Sequence, residues 1–226
     1  MTFDLIQQPH LVYNPSKTDM DHQNEEPSSI RNSIASVFLD QLQKEVPTFL
    51  QAVETQLPFV QQYYADHVCW RTESMKEYKD LTMALRHFAG ATLLIESIIG
   101  GRPIATFKLK PGIFCPESKR DVTILEIPSP KEGSPYSQGL EHVEFVLCND
   151  GASSSSPIND AIHESTLEKF MILHSDIKWN VKAKNKKVNP DVSLNLELDG
   201  FGACSIKFHL LPLAKVIDYE IAHDTT

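Results

Sequence analysis

ADHVCWR at 65–71 and LEHVEFVL at 140–147 set the architecture of this chain. Both are short and rich in valine, aromatic residues and leucine, the composition of half-buried strands. Both also carry the same local pattern. Asp66-His67-Val68 opens the first and Glu141-His142-Val143 the second, and each valine is followed two residues on by an aromatic, Trp70 or Phe145. An acid-His-Val tripeptide repeated at the head of two strands reads as an internal duplication.

The chain continues in the same way after each of the two. Beyond the first, MKEYKDLTMALRHF (75–88) has a helical period, and Gly90 is placed to stop it. Strands are expected over 92–98, 103–109 and 122–127, with Gly100-Gly101 turning the chain between the first two. Beyond the second comes a Ser-rich link at 149–156 and a helix over 157–173. Strands are then expected over 177–181, 192–198 and 203–210, and Pro212 opens a C-terminal helix running to about residue 222. The order is β-α-β-β-β, twice, which is an α+β chain.

Residues 1–29 are polar and aperiodic, and read as a tail. Residues 30–58 read as a helical pair: Ser28 or Ser29 caps a first helix carrying Ile34, Val37, Phe38, Leu42 and Val46. Pro47 then starts a second helix with Phe49, Leu50, Val53 and Leu57 on one face, and Pro58 ends it. The expected organisation is therefore a tail (1–29), a helical pair (30–58), a first module (65–128), and a second module with its C-terminal helix (139–222).

Composition narrows the function. Of 226 residues, 41% are hydrophobic and 23% charged, which suits a packed domain rather than disorder. No window approaches the length of a membrane span and no secretory signal opens the chain, so the expected setting is cytoplasmic, without a membrane partner. A net charge of −9 repels phosphate backbones, so nucleic acid is not an expected partner, and the Lys182, Lys184, Lys186, Lys187 cluster reads as a solvated loop. Four scattered cysteines without a C-x-x-C pair read as reduced thiols.

Side chains alternate along a strand, so His67, Cys69 and Arg71 share one face, and His142, Glu144 and Val146 another. If the two modules pair, both histidines converge on a central cleft. Glu126, near the end of the fourth strand VTILEIP, supplies a carboxylate. Two imidazoles and one carboxylate on rigid strands are the ingredients of a 2-His-1-carboxylate metal site. The other histidines (His10, His22, His87, His163, His174 and His223) carry no such pairing.

The segments ADHVCWR, GRPIATFKL (101–109), LEIPSP (125–130), GLEHVEFVL (139–147) and SIKFHLLPL (205–213) together resemble the YecM family, and through it the vicinal oxygen chelate superfamily of glyoxalases and extradiol dioxygenases. The resemblance implies paired modules forming a curled, cup-like sheet, with a divalent metal held by the first and fourth strands. It assigns His67, Glu126 and His142 as ligands. At the last strand, where the superfamily places a glutamate, this chain has Lys207 and His209 on one face and no carboxylate. His209 is a candidate fourth ligand, and Lys207 a candidate for holding an anionic substrate.

Around this set, Arg71 is a candidate carboxylate or phosphate clamp, or an ion-pair partner of Glu141 or Glu144. Glu144 is a candidate base or a partner for Arg71. Cys69 is read as a buried small residue rather than a soft ligand, and Arg102 as a loop salt bridge rather than a substrate contact. The donor set suits Zn, Mn, Fe or Ni. The readings it supports are a metal-dependent lyase, isomerase or oxygenase on a small oxygen-rich molecule, a non-catalytic metal or anion binder, or an interaction protein using its tail.

Overall fold

A computed structural model describes residues 28–133, 137–147 and 160–223. The described residues begin with α1 (Ser28–Gln56) and a 3-10 turn, then run β1 (Tyr64–Arg71), α2 (Met75–Arg86), β2 (Ala91–Ile99), β3 (Arg102–Cys115) and β4 (Arg120–Pro128). The second half gives β5 (Gly139–Val146), α3 (Asp160–Leu173), β6 (Asp191–Leu198), β7 (Gly202–His209) and α4 (Leu213–His223).

The seven strands among the described residues join one sheet in the order β2-β3-β4-β1-β5-β7-β6. Each half closes on itself through a parallel pair, β1 with β4 and β5 with β7, and antiparallel β1 and β5 join the halves at the centre. The fold is the expected α+β sheet with its two modules side by side. Gly100 (φ +59) and Gly101 (φ +81) make the β2–β3 turn, a backbone shape that side-chain-bearing residues resist.

The sheet buries one face. Val68, Trp70, Ala105, Phe107, Leu125, Ile127, Val143, Phe145, Ile206 and Phe208 lie in one core with Phe38, Leu42, Phe49 and Leu50 of α1 and Leu81 and Leu85 of α2. The alternate residues of the same strands, among them His67, Glu126, His142, Glu144 and Lys207, point to the other face.

Two expectations change. The helical pair is a single helix, with Pro47 inside it. An internal proline costs about 3 kcal/mol. Val46, Phe49, Leu50 and Val53 are all fully buried around it, and each contributes roughly 1.5–3 kcal/mol. One uninterrupted apolar seam therefore outweighs the lost hydrogen bond. The strand expected over 177–181 is reduced to one bridge, Asn180 to Ser193. Asn180 Oδ1 accepts from the Lys182 amide at 3.2 Å, and this local bond turns the chain away from the ladder. The tail up to residue 27 and the link at 149–156 lie outside the described residues.

Candidate metal centre

The site begins with two irregularities in the central strand pair. Ala65 pairs with Phe145 and His67 with Glu144, so Asp66 is an extra residue in β1. Cys69 pairs with His142 and Trp70 with Leu140, so Glu141 is an extra residue in β5. The acid of each acid-His-Val tripeptide is thus a β-bulge, a device that re-aims neighbouring side chains. A shared bulge gives the recurring tripeptide a structural reason.

Asp66 and His67 show the consequence. Both are 2% exposed, and His67 Nδ1 lies 3.0 Å from Asp66 Oδ2, which also accepts from the Leu213 amide at 2.8 Å. The carboxylate thereby ties the start of α4 to the imidazole. It holds the His67 Nδ1 proton and directs Nε2 into the site, where Nε2 is buried without a hydrogen-bond partner.

Nε2 faces a compact donor set. It lies 3.6 Å from Glu126 Oε2 and 3.4 Å from Glu144 Oε1. His142 Nε2 lies 3.4 Å from each of the same two oxygens. Four ligands at the usual 2.0–2.2 Å from a tetrahedral ion are separated from one another by roughly 3.3–3.6 Å. His67, Glu126, His142 and Glu144 together can hold a metal ion, all their donor atoms lying within 4.8 Å of one another.

The charges interlock. Burial disfavours the imidazolium of His67, but Glu144, Glu126 and Asp66 outweigh it and push the group up to about 10. Burial also opposes ionisation of Glu126, yet His67 and His142 bring it down to about 2. Glu144 is held well below the carboxylate range because Lys207 and His67 overcome its burial. His142 falls below its ordinary value through burial and the neighbouring Lys207. Two ionised carboxylates at this spacing demand positive charge, which the Lys207 ammonium and the His67 imidazolium supply and which a dication would supply if it replaced the His67 proton.

The remaining expected residues have definite places. Lys207 Nζ donates to Glu144 Oε1 at 2.5 Å and lies 3.3 Å from His142 Nε2. His209 stands apart from the four, grouped with Asp66 and His67. Its Nδ1 donates to the Leu211 carbonyl at 2.6 Å, and its buried Nε2 lies 3.7 Å from both Asp66 and Glu144. Arg71 reaches Glu141 at 3.5 Å, Cys69 is buried with its thiol on Glu141, and Arg102 donates to the Ser129 carbonyl. In the lysine cluster, Lys184 pairs with Glu168 and Lys186 with Asp191, as a solvated loop does. Cys69, Cys115 and Cys204 are free thiols among the described residues, and Cys148 lies outside them.

Sequence reasoning missed the roles of Asp66 and Asn189. The bulge at Asp66 is invisible without register. Asn189 Oδ1 accepts from the Leu210 and Leu211 amides while its Nδ2 donates at 3.0 Å to the Leu211 carbonyl, the same carbonyl that takes the His209 proton. A cleft of about 690 Å³ between α1 and α2 is lined by Ile34, Val37, Phe38, Trp70 and Leu81 on the other face and touches none of the four donors.

Together these features describe a two-module α+β protein with a buried His-carboxylate cluster able to hold a metal ion. The YecM protein family model matches residues 36–220, and the chain belongs to that family. A solved structure described as "Structural Genomics, Protein EC4020" aligns with a TM-score of 0.57 and 21% identity over 88% of this chain and 99% of that one, a likeness of fold. No curated protein matches the chain. No helix among the described residues is long and apolar enough to cross a membrane.

Proposed function

We propose that the protein binds one divalent metal ion through His67, Glu126 and His142, with Glu144 as the fourth donor. The observation that carries this reading is four donor atoms within 4.8 Å of one another, with each imidazole nitrogen 3.4–3.6 Å from both carboxylates. Two imidazole nitrogens and two carboxylate oxygens suit Zn, Mn, Fe or Ni. Paired modules with a histidine at matched positions also support placing the chain in the vicinal oxygen chelate superfamily.

Within that reading the protein is a metal-dependent lyase, isomerase or oxygenase on a small oxygen-rich substrate. The ion supplies Lewis acidity to a substrate oxygen. Asp66 orients His67, and Glu144, pinned by Lys207, is the group placed to accept a proton if it yields its position to substrate. A second reading, a non-catalytic metal or small-anion binder, is favoured by the fourth donor itself, since four protein ligands leave no position open.

The test is metal content by plasma mass spectrometry on untagged protein beside a His67→Ala/His142→Ala variant checked by circular dichroism. About one ion per wild-type chain, lost from a folded variant, is expected. A wild-type chain that stays metal-free after incubation with Zn, Mn, Ni and anaerobic Fe(II) overturns the reading. With the metal established, a screen of small oxygen-rich substrates separates the two alternatives, turnover that the variant lacks marking the enzyme.

A further inference from the structure

Register gives Lys207 a place that chemistry does not predict. In the first module the residue two beyond the histidine, Cys69, pairs with Glu126 across the parallel strands. In the second module the residue two beyond the histidine, Glu144, pairs with Lys207. Lys207 therefore occupies the position of the carboxylate Glu126, and Glu144 the position of Cys69. The second module has kept a carboxylate but moved it one strand over, and has placed a cation where it was.

That cation sits on the donors themselves. Its ammonium reaches Glu144 Oε1 at 2.5 Å and the Nε2 of His142 at 3.3 Å. Hydrogen-bonded to a carboxylate, the lysine keeps its ordinary positive charge. A dication taking the same atoms repels the ammonium at close range, in surroundings where such a repulsion is far stronger than in water. Lys207 is also the most open member of the group, 29% exposed against 13% for Glu144, 15% for Glu126 and 2% for His67. Displaced from Glu144, its ammonium remains tethered at the mouth of the site, beside a second positive charge. An oxygen anion lying between the two relieves both.

We infer that Lys207 makes the centre take up a dication together with a small carboxylate anion: it competes with the ion for Glu144 when no anion is present, and holds the anion when the ion is bound. The inference rests on the metal-binding reading and assigns that site its ligand class.

The experiment measures Zn²⁺ affinity by competition with a chromophoric chelator for wild type, Lys207→Met and Lys207→Arg, with and without acetate. His67→Ala/His142→Ala serves as the reference for the site. Without acetate, Lys207→Met is expected to bind Zn²⁺ at least tenfold more tightly than wild type, while Lys207→Arg, which keeps the charge, stays near wild type. Acetate is expected to tighten wild type and Lys207→Arg but not Lys207→Met, and the methionine variant corrects for acetate's own weak hold on the ion. Equal Zn²⁺ affinity in wild type and Lys207→Met, or an equal response to acetate, overturns the inference while leaving the metal site standing. Zn²⁺ binding by wild type no tighter than by the double-histidine variant overturns both.

Discussion

The two modules share a backbone plan but divide the chemistry unequally. In each, a bulged acid precedes a buried histidine, and a parallel pair closes the unit. In the first, the bulged acid Asp66 supports its histidine and the last strand supplies Glu126. In the second, the bulged acid Glu141 turns away to Cys69 and Arg71, the last strand supplies Lys207, and the carboxylate comes from Glu144. The same strand plan in both halves fixes where side chains converge, and what each half sends there differs.

The contrast between modules has its largest consequence at the carboxylates. Glu126→Gln removes a donor for which the second module has no equivalent on its last strand. It is expected to weaken Zn²⁺ binding by more than about 100-fold, beyond what loss of an outer partner causes. A chelator competition assay reads this directly, and an unchanged affinity contradicts the ligand assignment.

The two bulged acids differ by less, but they differ in kind. Asp66→Asn loosens the hold on His67 and is expected to cost about 10–100-fold in metal affinity. Glu141→Gln, at the matching position, alters a carboxylate that lies within 4.8 Å of a His142 ring nitrogen but pairs with Arg71 and Cys69, and is expected to cost less. Equal losses from the two variants contradict this division of roles.

The metal-free protein adds a pH signature. His67 titrates near 6.5 in an unfolded chain and is pushed up to about 10 when folded. The stability it contributes is full below pH 6.5 and is lost as pH rises toward 10, on the order of a few kcal/mol. Glu126, brought down to about 2, contributes stability that is lost as pH falls from about 4.5 toward 2. Urea titrations of metal-free protein are expected to show the alkaline decline between pH 7 and 10. Zinc-loaded protein is expected to lack it, because the proton has already left His67. A flat metal-free profile contradicts the charge account.

Much of the fold and of the site is legible in the sequence because it depends on local pattern. The alternation of ADHVCWR and LEHVEFVL puts each histidine on a definite face of its strand, and the fourth-strand position singles out Glu126. The rest depends on register and distance. Alternation puts Arg71 on the His67 face and leaves Glu141 and Glu144 as its candidate ion-pair partners, and only the register, with Glu141 bulged out of β5, decides for Glu141. Glu144 reads as a base because its spacing to Glu126 exists only after β1 comes between their strands. Pro47 reads as a boundary because a local rule about proline says nothing of the seam buried on either side. Asn180 ends a strand that composition favours. Asn180→Ala is expected to have the smallest effect on the fold, a loss of about 0.5–1 kcal/mol read as a Tm lower by roughly 1–4 °C.

A centre shared between the two modules has its own spectroscopic signature, read by X-ray absorption at the zinc edge of loaded wild-type protein beside His142→Ala. Two imidazole nitrogens and two oxygens at roughly 2.0–2.2 Å, with one imidazole lost in the variant, is the expected result. A shell of six oxygens, or a shell unchanged by the substitution, would place the metal elsewhere and contradict the two-module centre.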